Sequence, residues 1–133
     1  MKKPKNQQAA VNIPKLDADA CIQTLRARWD EKLEQRKAKK DDVLKNIPAA
    51  ELTDELIADY DEWISEPAAF HTVQTNADFQ KNVWFGCDVT LERIEKAIRE
   101  HGAWDLKDCQ DAPAFHTIGI KLDNIFHAID ISL

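Results

Sequence analysis

Two histidines occupy equivalent places in a short repeated segment, and they are the first candidates for chemistry. Residues 69–73 read Ala-Phe-His-Thr-Val and residues 114–118 read Ala-Phe-His-Thr-Ile. An imidazole titrates near neutral pH and is a common metal ligand, so His71 and His116 form a candidate polar site. If the two segments are related by a pseudo-twofold axis, the two rings would approach each other. A histidine on an apolar face is more often a hydrogen-bonded structural residue, and we expect that role first.

The other residues that could react form no known catalytic pattern. Cys21, Cys87 and Cys109 are an odd number at scattered spacings, without a Cys-x-x-Cys or His-Glu-x-x-His motif. The three glycines do not form a phosphate-binding loop, and neither serine stands in a nucleophile-elbow sequence. We therefore predict no cofactor, no metal and no enzymatic activity. The alternative is a small histidine-dependent enzyme or metal protein, because only the fold decides whether a cysteine and a histidine are adjacent.

Charge is divided unevenly along the chain. The formal net charge is −6, but residues 1–45 carry 12 Lys and Arg against 7 Asp and Glu (+5), whereas residues 46–133 carry 6 against 17 (−11). A basic front suits nucleic-acid phosphates, and an acidic body suits a basic partner. The chain lacks the run of about 18 apolar residues that spans a bilayer, and polar residues follow its basic N-terminus where a signal peptide is apolar. We therefore expect a cytoplasmic protein without membrane association.

Three segments are predicted. Residues 1–14 form a basic arm that we expect to be disordered, and residues 15–47 form one long charged helix. Residues 48–133 form an acidic α+β body. Within the body, the pattern of residues 53–89 recurs in residues 90–133, which indicates an internal repeat.

The long helix has an apolar front half and a basic back half. Asp17 stands where it would cap the N-terminus. Four residues at helical spacing form an apolar stripe: Ile22, Leu25, Trp29 and Leu33. Four cations beyond them form a basic patch: Arg36, Lys37, Lys39 and Lys40. The front half should therefore pack against the body or against a second chain, while the back half is solvated.

Two shorter helices are predicted at 53–64 and 90–101, capped by Thr53 and Thr90. The first should bury an apolar stripe, which consists of Leu56, Ile57, Tyr60, Trp63 and Ile64. It should expose five acids: Asp54, Glu55, Asp59, Asp61 and Glu62. The second should bury Leu91, Ile94, Ala97 and Ile98. Glu95 and Arg99 have the i,i+4 spacing of an ion pair on its outer surface.

Alternating apolar residues predict a β-hairpin near the C-terminus. The alternation begins at Ile118, a two-residue turn follows at Asp123-Asn124, and the alternation continues to Ile131. The predicted register pairs Leu122 with Ile125, Ile120 with His127, Ile118 with Ile129 and His116 with Ile131. Because the segment at residues 69–73 repeats the one at 114–118, strands over 70–75 and 82–89 would form a second hairpin.

The predicted fold class is α+β. A long N-terminal helix is followed by two helix–β-hairpin units that share an antiparallel four-stranded sheet, with both short helices on one face. The alternative is an all-α fold, because the apolar residues between 115 and 129 also fit helical spacing.

These features favour a small non-enzymatic protein-interaction module with a regulatory or inhibitory role. A partner protein would bind the acidic helix or the apolar stripe of the long helix, and the stripe would also allow a homodimer. Exposed Trp84 or Trp104 would serve as an anchor. The alternative classes are contact with nucleic acid through the basic N-terminal half, an acidic surface that imitates nucleic acid, and the histidine-dependent protein considered above.

Overall fold

The chain consists of three capped helices and six short strands in its described part. The structure, a computed structural model, describes residues 13–76, 79, 82–106 and 116–131, with the backbone alone at 82–85, 87, 116 and 117. Residues 1–12 of the predicted arm lie outside the described residues. The elements are β1 (Lys15–Leu16), α1 (Ala18–Asn46), a short helical turn (Ala49–Glu51), α2 (Asp54–Ile64), β2 (Ala69–Thr75), β3 (Asn82–Thr90), α3 (Leu91–His101), β4 (Ala103–Asp105), β5 (His116–Leu122) and β6 (Ile125–Asp130).

The predicted caps fix the start of each helix. The side chain of Asp17 accepts a hydrogen bond from the Ala20 amide (2.9 Å), which satisfies one of the unpaired donors of the first turn. The hydroxyls of Thr53 and Thr90 do the same for α2 and α3. Residues 15 and 16, predicted within the long helix, instead form β1, because Leu16 pairs with Ala103 of β4. The long helix itself is confirmed.

The sheet is wider than predicted. In the described part of the chain it has six antiparallel strands in the order β1-β4-β5-β6-β2-β3. The two predicted hairpins, β2–β3 and β5–β6, are present and lie side by side through β6 and β2. The prediction of four strands is wrong because β1 and β4 extend the sheet beyond β5. These strands have two and three residues, too few for an alternating pattern. The mixed helix-and-sheet fold is confirmed, and the all-α alternative is wrong.

The C-terminal hairpin keeps most of its predicted register. Leu122 pairs with Ile125, Ile120 with His127 and Ile118 with Ile129, as predicted. Asp123 and Asn124 have φ angles of 49° and 65°, the positive values that a type I′ turn requires. The fourth predicted pair is wrong: His116 pairs with Asp130 rather than Ile131, because an irregularity between His116 and Ile118 shifts the register there.

α1 and α3 cover one face of the sheet and form the main core with it. Buried residues from the front of α1, from α3 and from five strands make up this core: Cys21, Ile22, Leu25, Phe70, Val89, Leu91, Ile94, Ala97, Ile98, Ala103, Ile118, Ile120, Leu122 and Ile129. The predicted buried stripe of α3 is confirmed residue by residue. None of the helices in the described ranges has the run of apolar residues that a membrane span requires.

α2 does not lie on the sheet. It packs on α1, and among the described residues α1 is the only element that it contacts extensively. The prediction that both short helices cover the sheet is therefore wrong for α2, because the front half of α1 occupies that place. The apolar stripe of α2 was predicted to be buried, but all five of its residues are only half-buried: Leu56, Ile57, Tyr60, Trp63 and Ile64.

A smaller cluster lies on the opposite face of the sheet. Phe79, Leu106 and Ala128 are buried there, with Trp104 and Phe126 packed against them. A side chain at Gly119 would place its Cβ 2.7 Å from the Phe79 ring, so the ring would have to shift to admit any larger residue. The second face is thus partly covered by aromatic residues.

Ion pairs between helices replace a predicted pair within α3. Glu95 accepts two hydrogen bonds from Arg26 of α1, at 2.6 and 3.1 Å. Arg99 contacts Asp19 at the start of α1, 3.3 Å away. The predicted Glu95–Arg99 pair is wrong because both side chains find partners on α1, which lies beside α3.

Candidate functional site

The two echoed histidines lie at corresponding positions of the two hairpins. His71 of β2 pairs with Asp88 of β3, and His116 of β5 pairs with Asp130 of β6. His71 Nδ1 lies 3.3 Å from Asp88 Oδ1, and both side chains are exposed. Strand β6 separates β2 from β5, so the two histidine backbones are about 10 Å apart. The side chain of His116 lies outside the described residues, and an approach of the two rings stays a prediction.

The described residues assemble no metal or nucleophile site. In this part of the chain, no group of three or more histidine, cysteine or acidic side chains could hold a metal ion. Burial raises the pKa of the Cys21 thiol to about 11, so this cysteine is not a thiolate at neutral pH. His127 Nδ1 lies 3.3 Å from the Thr72 hydroxyl, and burial lowers the pKa of this histidine. Cys109 and the side chain of Cys87 lie outside the described residues.

The apolar stripe of α1 serves mainly the chain's own core. Ile22 is 2% exposed and Leu25 is fully buried, because both lie on the side of α1 that faces the sheet. Neither offers surface to a partner in this fold. Trp29 and Leu33 are half-buried, and Trp29 packs against the edge of the core. Of the four residues of this stripe, only Trp29 and Leu33 therefore have surface that a partner protein could contact.

The basic patch of α1 is largely neutralised within the chain. Arg36 pairs with Glu66, Lys37 with Glu34, and Lys40 with Asp61 of α2. Lys39 is exposed, and it forms no ion pair with the described residues. The patch therefore presents much less positive charge to phosphates than its sequence implies.

Trp104 is not an isolated surface anchor. It is half-buried on the second face of the sheet, with its ring centroid 5.4 Å from that of Phe79 and 6.2 Å from that of Phe126. The ammonium group of Lys15 lies 5.1 Å from the Trp104 ring centroid. The side chain of Trp84, the other proposed anchor, lies outside the described residues.

A shallow apolar groove, largely open to solvent and lined by residues of α2 alone, runs along this helix. It has a volume of about 280 Å³ and is lined by Leu56, Asp59, Tyr60 and Trp63. Leu56, Tyr60 and Trp63 stand at i, i+4 and i+7, so they form one stripe along the helix. Leu52, which directly precedes the N-cap, is 41% exposed and extends the apolar character of the stripe. The groove therefore offers a linear series of aromatic and aliphatic contacts.

A row of carboxylates runs beside this groove. Glu55, Asp59 and Glu62 also stand at i, i+4 and i+7, rotated about 100° from the apolar stripe. All three are exposed, and they form no ion pair with the described residues, nor does Asp54. Asp61 differs, because it faces α1 and pairs with Lys40. Four of the five acids predicted for this helix thus present uncompensated negative charge.

Comparisons of the chain with protein-family models, with curated proteins and with solved structures give no match.

A series of cation–π and edge-on aromatic contacts links the groove to the core. The Arg36 guanidinium lies between two indoles, 4.9 Å from the Trp29 ring centroid and 5.0 Å from the Trp63 ring centroid. Trp29 packs edge-on against the buried Phe70, and Tyr60 packs edge-on against Trp63. Arg36 was predicted as part of the basic patch, and its contacts with the two indoles were not predicted. The available signal was its seven-residue spacing from Trp29, which puts both on one face of α1.

Proposed function

We propose that this protein is a non-enzymatic interaction module whose α2 surface docks a partner protein. The partner presents an amphipathic segment in which apolar side chains are flanked by lysines or arginines. One observation carries the proposal: the groove lined by Leu56, Tyr60 and Trp63 lies directly beside the unpaired row of Glu55, Asp59 and Glu62. The module therefore acts by occupying or sequestering a basic surface, which suits a regulatory or inhibitory role.

The two stripes have different tasks in such a complex. Tyrosine and tryptophan at the centre of a contact commonly contribute most of the binding free energy, because they bury a large area with little loss of side-chain freedom. Exposed carboxylates at the rim mainly speed association with a basic partner and select against acidic ones. Binding should therefore depend on both the apolar pattern of the partner and the salt concentration.

The charge balance supports a basic protein partner over nucleic acid. Of the basic patch on α1, three residues pair with acids of the same chain, whereas four acids of α2 form no ion pair with the described residues. The charge that remains at this end of the molecule is negative, and it repels phosphates. An apolar groove beside the acids also suits a side chain of a protein better than a phosphodiester backbone.

Nuclear magnetic resonance with a defined peptide tests the proposal. The probe is a helix-forming peptide of about 16 residues with leucines at i, i+4 and i+7 and lysines at most other positions. One control peptide has the same composition with the leucine order scrambled, and a second has glutamate in place of lysine. We expect the patterned basic peptide alone to shift the backbone amide signals of α2, with weaker binding as salt rises.

Matched variants separate the groove from general acidity. Glu55→Gln, Asp59→Asn and Glu62→Gln together should weaken binding at least about fivefold. Asp30→Asn, Asp41→Asn and Asp42→Asn together remove the same charge from exposed positions of α1 and should leave the affinity unchanged. Equal losses in both triple variants, or shifts spread over the whole acidic surface, would contradict the proposal. Concentration-dependent shifts of α2 without peptide would contradict it too, because the occupant would then be a second copy of this chain.

A further inference from the structure

We infer that α2 opens and closes as a separate unit, and that Arg36 is the latch that holds it closed. The inference rests on the proposed function in one respect only: Trp63, which the latch contacts, is also one of the residues that line the groove. The latch itself follows from the packing of the free chain.

The packing of α2 differs from that of the other short helix. Both have 11 residues, but α3 has four buried residues in the main core and α2 has none. In the described part of the chain, α2 makes extensive contact only with α1. The contact lies along the back half of α1, beyond the residues that α1 contributes to the core. An element with few buried contacts is the first to open in native-state fluctuations.

Arg36 supplies the most specific contact between the two helices. Its Nη1 donates to the Trp63 carbonyl oxygen (2.7 Å) and to Glu66 Oε2 (3.0 Å). The Trp63 carbonyl belongs to the last turn of α2, where the helix dipole favours a nearby cation. α2 has no basic residue of its own in this turn, so Arg36 of α1 supplies the positive charge. The guanidinium lies between Trp29 and Trp63, which links it to the core on one side and to the groove on the other. Lys40, which pairs with Asp61, adds a second and simpler contact.

The latch and the groove share a residue. Trp63 stacks on Arg36 and also lines the groove, and its ring contacts that of Tyr60, 6.1 Å away between centroids. Release of Arg36 therefore frees the side chain that forms one wall of the groove. Because the coupling between two equilibria is reciprocal, a partner in the groove should hold the latch closed, and a closed latch should favour binding.

Hydrogen exchange of the free full-length chain tests the latch. In the native protein we expect α2 amides to exchange on the order of 100-fold faster than α3 amides. Arg36→Ala should speed exchange in α2 roughly tenfold and leave α3 within about twofold, because it removes the hydrogen bonds to Trp63 and Glu66 and the cation–π contact with Trp63, none of which involves α3. Arg36→Lys should give an intermediate increase, because lysine keeps the charge but not the planar group that stacks.

Arg26→Ala is the matched control. Arg26 lies on the same helix and makes a two-bond ion pair, but its partner is Glu95 of α3. This variant should leave exchange in α2 unchanged. Equal protection of α2 and α3 in the native protein would overturn the inference, and so would an Arg36→Ala effect of equal size in both helices. The exchange experiment contains no peptide, so its failure is distinguishable from a failed titration of the groove.

Discussion

Truncating one leucine in each of two helices distinguishes the core from the proposed docking surface. Leu25 of α1 is 0% exposed, whereas Leu56 of α2 is half-buried at the groove. Replacing a fully buried leucine with alanine typically costs about 2–5 kcal/mol, because the surrounding residues fill the cavity only partly. Truncation of Leu56 leaves no closed cavity, since part of the side chain already faces solvent. We expect a cost of about 1 kcal/mol or less there.

These free energies convert into measurable shifts of the melting temperature. For a chain of 133 residues, 1 kcal/mol corresponds to roughly 3–5 °C. Leu25→Ala should therefore lower Tm by about 10 °C, and Leu56→Ala by less than about 5 °C. Urea unfolding followed by circular dichroism gives the same comparison as free energies. An unchanged slope of free energy against urea shows that both variants unfold from the same compact state.

Equal losses of stability in Leu25→Ala and Leu56→Ala would contradict the assignment of Leu56 to a docking surface. If Leu56→Ala costs as much as Leu25→Ala, the Leu56 side chain is part of the core and is not held ready for a partner. The groove would then be a packing feature of α2, and the docking surface would have to be abandoned. Leu33→Ala, at a half-buried position of α1, provides an intermediate reference in the same assays.

Three further predictions test the fold around the site. Gly86→Ala should cost more than about 2 kcal/mol, because Gly86 has a φ of +79° and an added Cβ would lie 1.5 Å from the Thr72 carbonyl oxygen; an unchanged urea midpoint would contradict this close approach of β3 to β2. Thr90→Ala should cost about 1 kcal/mol by removing the α3 cap, and Thr90→Ser should restore most of it in the same unfolding assay. Burial, and then the charge of Arg93, lowers the pKa of His127 in the folded state, so the unfolded state binds more protons below about pH 6.5. Stability should therefore fall as pH drops from 6.5 towards that lowered pKa, and His127→Asn should flatten the decline; an equal decline in the variant would contradict it.

Local patterns were sufficient to predict the elements whose residues interact mainly with sequence neighbours. The caps at Asp17, Thr53 and Thr90 follow from short-range hydrogen bonding, and the structure has all three. The Asp123-Asn124 turn and the register next to it follow from turn geometry and side-chain alternation. The predicted register was wrong at His116, because β5 contains an extra residue between His116 and Ile118. The alternation of apolar residues does not indicate that irregularity.

Features that depend on distant residues were not predictable in this way. Glu95 and Arg99 have ideal spacing for a pair within α3, yet both bind α1, because tertiary neighbours compete with a weak surface pair. The acids of α2 were predicted to be exposed, and they are. Its apolar stripe was predicted to be buried, and it is only half-buried. Its half-exposed state arises because α1, rather than α2, covers the sheet. Helical spacing places Arg36 on the same face of α1 as Trp29, but the contact of Arg36 with Trp63 joins two separate helices, and no spacing within one helix reveals it.

Quantitative affinity capture tests the claim that the α2 surface binds a basic partner protein. Three baits are compared in lysate of cells that make the protein: the native chain, the α2 triple variant (Glu55→Gln, Asp59→Asn, Glu62→Gln) and the α1 triple variant (Asp30→Asn, Asp41→Asn, Asp42→Asn). We expect one protein that the native chain and the α1 variant retain equally and that the α2 variant loses. That protein should cross-link to α2 through a basic segment. Equal binding of every retained protein to all three baits, or cross-links on another surface, would contradict a docking role for α2.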